Sequence, residues 1–207
     1  MSQVLFRSPE EQMAVLCGCF DLREEVLPTL APVPTDAQGY VVMPRWSAIA
    51  DSPQGALHRV CQLLAGNDSD EQYLRGITCE SHSTKTARAW AQLEGGGTST
   101  NFLVFPCTWE AFHGQSEIQT SSNLLPQQFF LDAFAAGSIL LGNPQLLGSD
   151  EDPYAHCLAE EYTILTFSRR RLDLSPFWRK KGNGKVCGLA DRDSVGGDYV
   201  IPIGWLS

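Results

Sequence analysis

The sequence predicts an α+β fold: a single domain with a central, mostly antiparallel or mixed sheet, helices packed on it, and one helix buried at its heart. Three observations carry this. Helix-start signals and strand-like apolar runs alternate through the first half, and the last quarter is mainly strand and turn. Between them, from Leu124 to Leu147, runs the apolar helix pattern LLPQQFFLDAFAAGSILLGNPQLL.

Taken in order, the first helix opens with Ser8 as cap, Pro9 at the first position and Glu11 completing a capping box; Met13, Val15, Leu16, Cys19 and Phe20 form its apolar face. It ends near Phe20 or one turn later at Leu22, and the three prolines of LPTLAPVPTDAQG then force an extended connection. Tyr40 to Trp46 is too short for a helix and carries Pro44, so it reads as a strand with proline at its end or edge. Ser52-Pro53 repeats the helix-start signal, and Ala56, Leu57, Val60, Cys61, Leu63 and Leu64 continue it to a stop at Gly66.

A short helical piece is expected around Tyr73 and Leu74, followed by a helix from Thr84 to Leu93 that ends in Gly95-Gly96-Gly97. Asn101 to Trp109 reads as a buried strand interrupted or ended by Pro106. The polar stretch Phe112 to Asn123 leads into the core helix, which is predicted to run about 16 residues with Pro126 in its first turn and Asp132 as an interruption. Asn143-Pro144 then reads as the cap and first turn of a short helix, PQLLG. Tyr162 to Ser168 and Leu172 to Leu174 suggest a hairpin turned at three arginines, and Tyr199 to Ile203 a closing strand, for a sheet of about four to six strands. The organisation expected is one globular domain over 1–207: helix and proline-rich connection in 1–38, core in 39–168, basic hairpin and closing strand in 169–207.

Hydrophobic residues make up 43% of the 207, enough for a conventional core. The N-terminus lacks the basic start and apolar run of a secretory signal, and the core helix is too short and too punctuated to span a bilayer, so a soluble cytoplasmic protein with no membrane partner is expected. The seven cysteines are odd in number and scattered through apolar stretches, which favours buried reduced thiols over a disulfide framework. Net charge is −9, and it is segregated. The segment from Arg169 to Arg192 holds Arg169, Arg170, Arg171, Arg179, Lys180, Lys181, Lys185 and Arg192 against Asp173 and Asp191, a local balance of +6, which leaves −15 on the rest. That pattern suits a protein partner or self-association between opposite faces, and nucleic acid or another anion only through segment 169–192; its plain alternative is a solvated basic hairpin.

Three constellations could carry chemistry. Cys107 and His113, six residues apart across a turn, would make a thiol and its base, although Cys107 within FPCTW also reads as a packed small hydrophobe. His156 and Cys157 with Glu160 and Glu161 could act as an acid/base group, but an adjacent His-Cys pair is not a recurrent zinc spacing, and Cys17-Gly18-Cys19 lacks a second pair. No metal and no cofactor is therefore expected. Gly182-Asn183-Gly184-Lys185 lacks the remaining residues of a phosphate loop and has Val186 where a hydroxyl belongs, so it reads as a hairpin turn, as Gly196-Gly197 does.

The stretches VVMPRWSAIADSPQGALHRV (Val41 to Val60), FLVFP (Phe102 to Pro106) with His113-Gly114, FLDAFAAGSILLGNPQLL (Phe130 to Leu147) and Cys157 to Tyr162 resemble a group of uncharacterised bacterial proteins, as does the closing Gly204-Trp205-Leu206. The resemblance implies one continuous fold over much of residues 40 to 167 and carries no activity. The basic run around Arg179 to Lys185 departs from that pattern. The leading expectation is an interaction or structural protein, an accessory subunit of a larger bacterial or phage assembly. The alternatives are a small hydrolase or transferase at one of the two cysteine-containing sites, and an anion or nucleic-acid binder through the basic segment.

Overall fold

The structure, a computed structural model, describes residues 6–65, 81–95, 100–112, 115, 117–149, 154–165, 171–181, 183–191 and 199–206. The piece around Tyr73 and Leu74, His113-Gly114, Arg169 and Arg170 of the expected three-arginine turn, Arg192 and Gly196-Gly197 lie outside the described residues. In chain order the elements are α1 (Pro9–Phe20), β1 (Gly39–Pro44), α2 (Trp46–Ile49), α3 (Pro53–Ala65), β2 (Ser81–His82), α4 (Thr84–Gly95), β3 (Phe102–Thr108), α5 (Glu117–Asn123), β4 (Gln128–Phe130), α6 (Ala133–Gly142), β5 (Tyr154–His156), β6 (Glu160–Leu165), β7 (Arg171–Lys181), β8 (Gly184–Asp191), β9 (Tyr199–Val200) and β10 (Ile203–Trp205). The fold is α+β.

The strands form two sheets. One has the order β1-β3-β10-β4; the other follows β2-β6-β7-β5-β9, with β8 on the free side of β7. All pairs are antiparallel except β5 with β9. The expected closing strand is divided between them: Tyr199 and Val200 pair in the second sheet, Ile201 and Pro202 cross over, and Ile203 to Trp205 insert between β3 and β4 of the first. Pro106 does not end β3, which continues to Thr108. The pairing of β3 with β10 covers only Thr108 and Cys107, so it stops where the next residue, Pro106, has no N–H to offer.

Helix α6 is the centre, as its all-round apolar sequence requires, with every residue from Ala133 to Leu140 buried. Its start differs from the expectation. Gln128 to Phe130 belong to β4, and Asp132 is the N-cap rather than an interruption, its Oδ1 accepting from Ala135 N at 2.7 Å. Asn143 closes the helix by donating its backbone N–H to Ile139 O at 2.8 Å, and residues 144–147 make a single turn, not a further helix. Four elements hold α6: α3, α1, β1 and β7, the last through Trp178, whose Nε1 donates to Ala133 O at 3.0 Å.

Helix α1 begins as its capping box dictates, with Ser8 Oγ accepting from Glu11 N and Glu11 Oε2 accepting from Ser8 N. It ends at Asp21, which takes the left-handed conformation at φ 57° and donates its N–H to Cys17 O. Its buried face includes Gln12, which lies along the outer edge of β1. There the side-chain amide donates to Tyr40 O at 2.9 Å and accepts from Val42 N at 3.0 Å, while also donating to Arg7 O at 2.8 Å. The glutamine thus makes the two bonds that another strand would make, which satisfies the backbone of a buried edge.

In the second sheet, β5 and β6 run in tandem along one side of β7. From Ala155 to Tyr162, seven steps along one chain oppose the four from Trp178 to Leu174 on the other. The three surplus residues, Cys157, Leu158 and Ala159, form a bulge buried in the core, anchored by Cys157 N donating to Pro176 O at 2.8 Å. Where a turn is expected, β7 ends at Lys181 and β8 begins at Gly184, the two residues facing each other in register; Gly182 lies outside the described residues.

Candidate functional site

The cysteines of both expected catalytic sites, Cys107 and Cys157, lie buried in the core. Cys107, the second-last residue of β3, lies between β1 and β10 with 0% of its surface exposed, and burial pushes its thiol far above the ordinary value near 9.0. A thiol held protonated and walled off from solvent is a packed hydrophobe, not an attacking group. His113, its proposed base, lies outside the described residues. Cys157 is equally enclosed in the bulge, its Sγ directed at Ala155 O at 3.9 Å. The same bulge interrupts the strand between His156, in register with Phe177, and Glu160, which pairs with His82. Glu161 pairs with Ser81. All described cysteines are free thiols.

The basic segment separates into parts with different fates. Lys185 is 8% exposed and its Nζ donates to Pro144 O at 2.9 Å, so this lysine holds the turn after α6 in place and is not offered to an anion. Arg169 and Arg170 lie outside the described residues, while Arg171 and Lys181 are the two end positions of β7. Lys180 and Arg179 are both half-buried. Arg179 places its guanidinium 5.8 Å from the centre of the Tyr154 ring, and Tyr154 stacks on Phe177 with centroids 5.5 Å apart and planes inclined by 25°. Tyr154 is 42% exposed. Arg179 meets no carboxylate among the described residues, and its Nε is buried without a hydrogen-bond partner there.

Strand alternation explains this arrangement. Trp178 turns inward against α6, so its neighbours Phe177 and Arg179 turn outward, beside Tyr154 on β5. The outcome is an exposed tyrosine stacked on a half-buried phenylalanine, crowned by a cation with no countercharge among the described residues.

A second feature, with no precedent in the sequence reading, is a cavity of about 240 Å³ where β1, β3, α2, α3, α4 and α6 meet. Met43, Leu57, Leu103 and Phe134 give it apolar walls, and Trp46 and Trp90 add two indoles. Asp132, the cap of α6, also lines it, and Gln54 and Glu94 are exposed and mark its mouth. Trp90 is held edge-on to Phe105 and Phe129, with centroids 5.7 and 5.1 Å away and planes at 74° to both. Its residues come from six separate elements, so no local signal in the sequence marks it.

Comparison with family models, with curated proteins and with solved structures finds no match. Among the described residues, no helix is long and apolar enough to cross a membrane, and no three His, Cys, Asp or Glu residues are grouped to hold a metal.

Proposed function

We propose that the chain is an interaction protein that assembles with further copies of itself, the Tyr154, Phe177 and Arg179 face of one copy docking on the acidic surface around α1 of the next. The single observation that carries this reading is Arg179: a half-buried cation stacked over an exposed tyrosine, with no carboxylate to meet it among the described residues. Complementary charge is supplied by Glu10, Glu11, Asp21 and Glu24, all exposed, beside the connection in which Val26 is 93% exposed. The segregation of +6 in segment 169–192 from −15 elsewhere supports the same pairing. Such a contact joins two different surfaces, so it builds a ring or an open array rather than a two-fold dimer.

Sedimentation velocity over a range of protein concentration tests this. The expected result is association at about 50 mM salt that fades at about 500 mM, where screening shortens the reach of charges to a few ångströms. Arg179→Glu is expected to abolish it and the added change Glu24→Arg to restore it. A strictly monomeric protein at every concentration, or association indifferent to Arg179→Glu, overturns the reading.

A further inference from the structure

We infer that the cavity where α2, α3, α4 and α6 meet β1 and β3 is a binding site for a small, uncharged aromatic molecule of about two fused rings. Size comes first. An apolar cavity of about 150 Å³ takes benzene, and drug-sized ligands fill about 300 to 1,000 Å³. A space of about 240 Å³ falls between them, which suits a bicyclic ring system.

Charge comes next, and neither sign is favoured. Asp132 accepts from Ala135 N at 2.7 Å, has a further interaction besides, and sits at the positive end of α6. At the mouth, the Arg45 guanidinium donates to Glu94 O at 3.4 Å and to Thr100 O at 2.8 Å, which puts a cation beside the backbone of the exposed Glu94. An anionic ligand, for its part, finds no lysine, arginine or histidine among the described lining residues. Taking a charged group of either sign out of water here would go uncompensated.

The walls decide the rest. Met43, Leu57, Leu103 and Phe134 are buried, and with Trp46 and Trp90 they make a mainly apolar lining that favours an uncharged molecule. Three of these six are aromatic. Trp90 is already held edge-on to Phe105 and Phe129, so its ring is oriented before a ligand arrives. Ring pairs in edge-to-face or offset contact gain beyond the area they bury, roughly two- to tenfold in affinity for each pair. A saturated molecule of the same size forgoes that gain. The site opens to solvent where Pro53, Gln54 and Glu94 are exposed and Trp46 is half-buried.

Calorimetric titration of the full chain with 2-naphthol tests the inference, beside three molecules on the same skeleton: the saturated decahydro-2-naphthol, the anion 2-naphthoate and the cation 2-naphthylmethylammonium. Saturable binding of 2-naphthol is expected, about fivefold or more tighter than its saturated counterpart and about tenfold or more tighter than either ion. Trp46→Leu, which removes one aromatic wall at the start of α2, is expected to weaken 2-naphthol and leave decahydro-2-naphthol unchanged. The unaltered chain supplies a second readout, since the indole N–H resonances of Trp46 and Trp90 are expected to shift as 2-naphthol saturates the site. No saturable binding, equal affinity for 2-naphthol and its saturated counterpart, an ion that binds as tightly, 2-naphthol affinity indifferent to Trp46→Leu in a variant that melts normally, or saturation that leaves both indole resonances unmoved overturns the inference.

Discussion

The indole of Trp178 occupies the space that a side chain at Gly137 would need. A Cβ built on Gly137 would lie 2.5 Å from Trp178 Cζ2 and 2.6 Å from Val60 Cγ1, closer than real carbon contacts come. Helix α6 therefore meets β7 and α3 at a point where only glycine fits, and the single helical turn from Ala133 to Gly137 both receives the indole N–H and clears room for its ring.

Gly137→Ala is expected to cost about 3 kcal/mol or more, because the core is overpacked on two sides by groups that cannot retreat. Gly142→Ala, whose Cβ would meet Gln12 at 3.4 Å and beyond, ordinary contact distances, is expected to change stability by no more than about 1 kcal/mol. Chemical denaturation of the two variants side by side checks the contrast; equal losses would mean that glycine in α6 matters for the helix and not for Trp178.

Replacing Gln12 removes a donor and an acceptor together from a buried strand edge. Gln12→Ala is expected to cost about 2 to 3 kcal/mol, since Val42 N–H and Tyr40 C=O lose their partner away from water. Gln12→Glu should cost more at neutral pH, because its carboxylate has no hydrogen to give to Tyr40 O or Arg7 O. Urea midpoints for both variants decide the order.

Ser138 is fully buried in α6, and its hydroxyl has no hydrogen-bond partner among the described residues. Ser138→Ala is expected to stabilise the protein by about 1 kcal/mol, relieving an unsatisfied polar group and improving helix propensity in one step. A lower melting temperature for this variant would contradict that account.

Alkaline pH should unfold the protein through its thiols. Burial holds Cys107 protonated above its ordinary value near 9.0, and Cys17 and Tyr199 are shifted in the same direction. Above that pH the unfolded chain releases protons that the folded chain retains, so stability is complete below about pH 9 and declines as pH rises beyond it. Cys107→Ala is expected to make this decline shallower. With native protein at pH 8, a thiol reagent should, among the described cysteines, label the half-buried Cys19 and Cys61 first and leave Cys107 and Cys157 unmodified; rapid labelling of Cys107 would favour it as a nucleophile.

Local signals in the sequence were reliable where one short motif decides the structure. Ser8-Pro9 and Glu11 located α1, Ser52-Pro53 located α3, and Asn183-Gly184 marked the place where β7 gives way to β8, because caps and turns depend on neighbours a few residues away. The boundary between β4 and α6 was hidden. Phe129 to Leu140 is apolar almost throughout, so neither period stands out, and a capping Asp132 looks like an interruption until its bond to Ala135 N is seen. The polar run that holds α5 and the crossing of Ile201-Pro202 between two sheets were likewise invisible, the second because sheet membership depends on residues a hundred positions away.

The candidate sites were legible only in part. The basic character of residues 169 to 192 marked the right strand, yet it could not reveal that Lys185 is structural while Arg179 faces outward over Tyr154. Alternation along Phe177, Trp178 and Arg179 held that information, but only once β7 was known to be covered by a helix on one face. The cavity gathers residues from Met43 to Phe134 and has no local signature at all.

The bonds from Gln12 to β1 also bear on how this protein aggregates. A backbone edge sealed by a side chain is sealed only while α1 stays docked, so detachment of that one helix uncovers Tyr40 O and Val42 N together, on a strand whose residues from Val41 to Pro44 are all buried. Local opening of a terminal helix needs far less free energy than global unfolding. The species to guard against during storage or concentration is thus a nearly native chain with a bare, apolar strand edge able to recruit its neighbour.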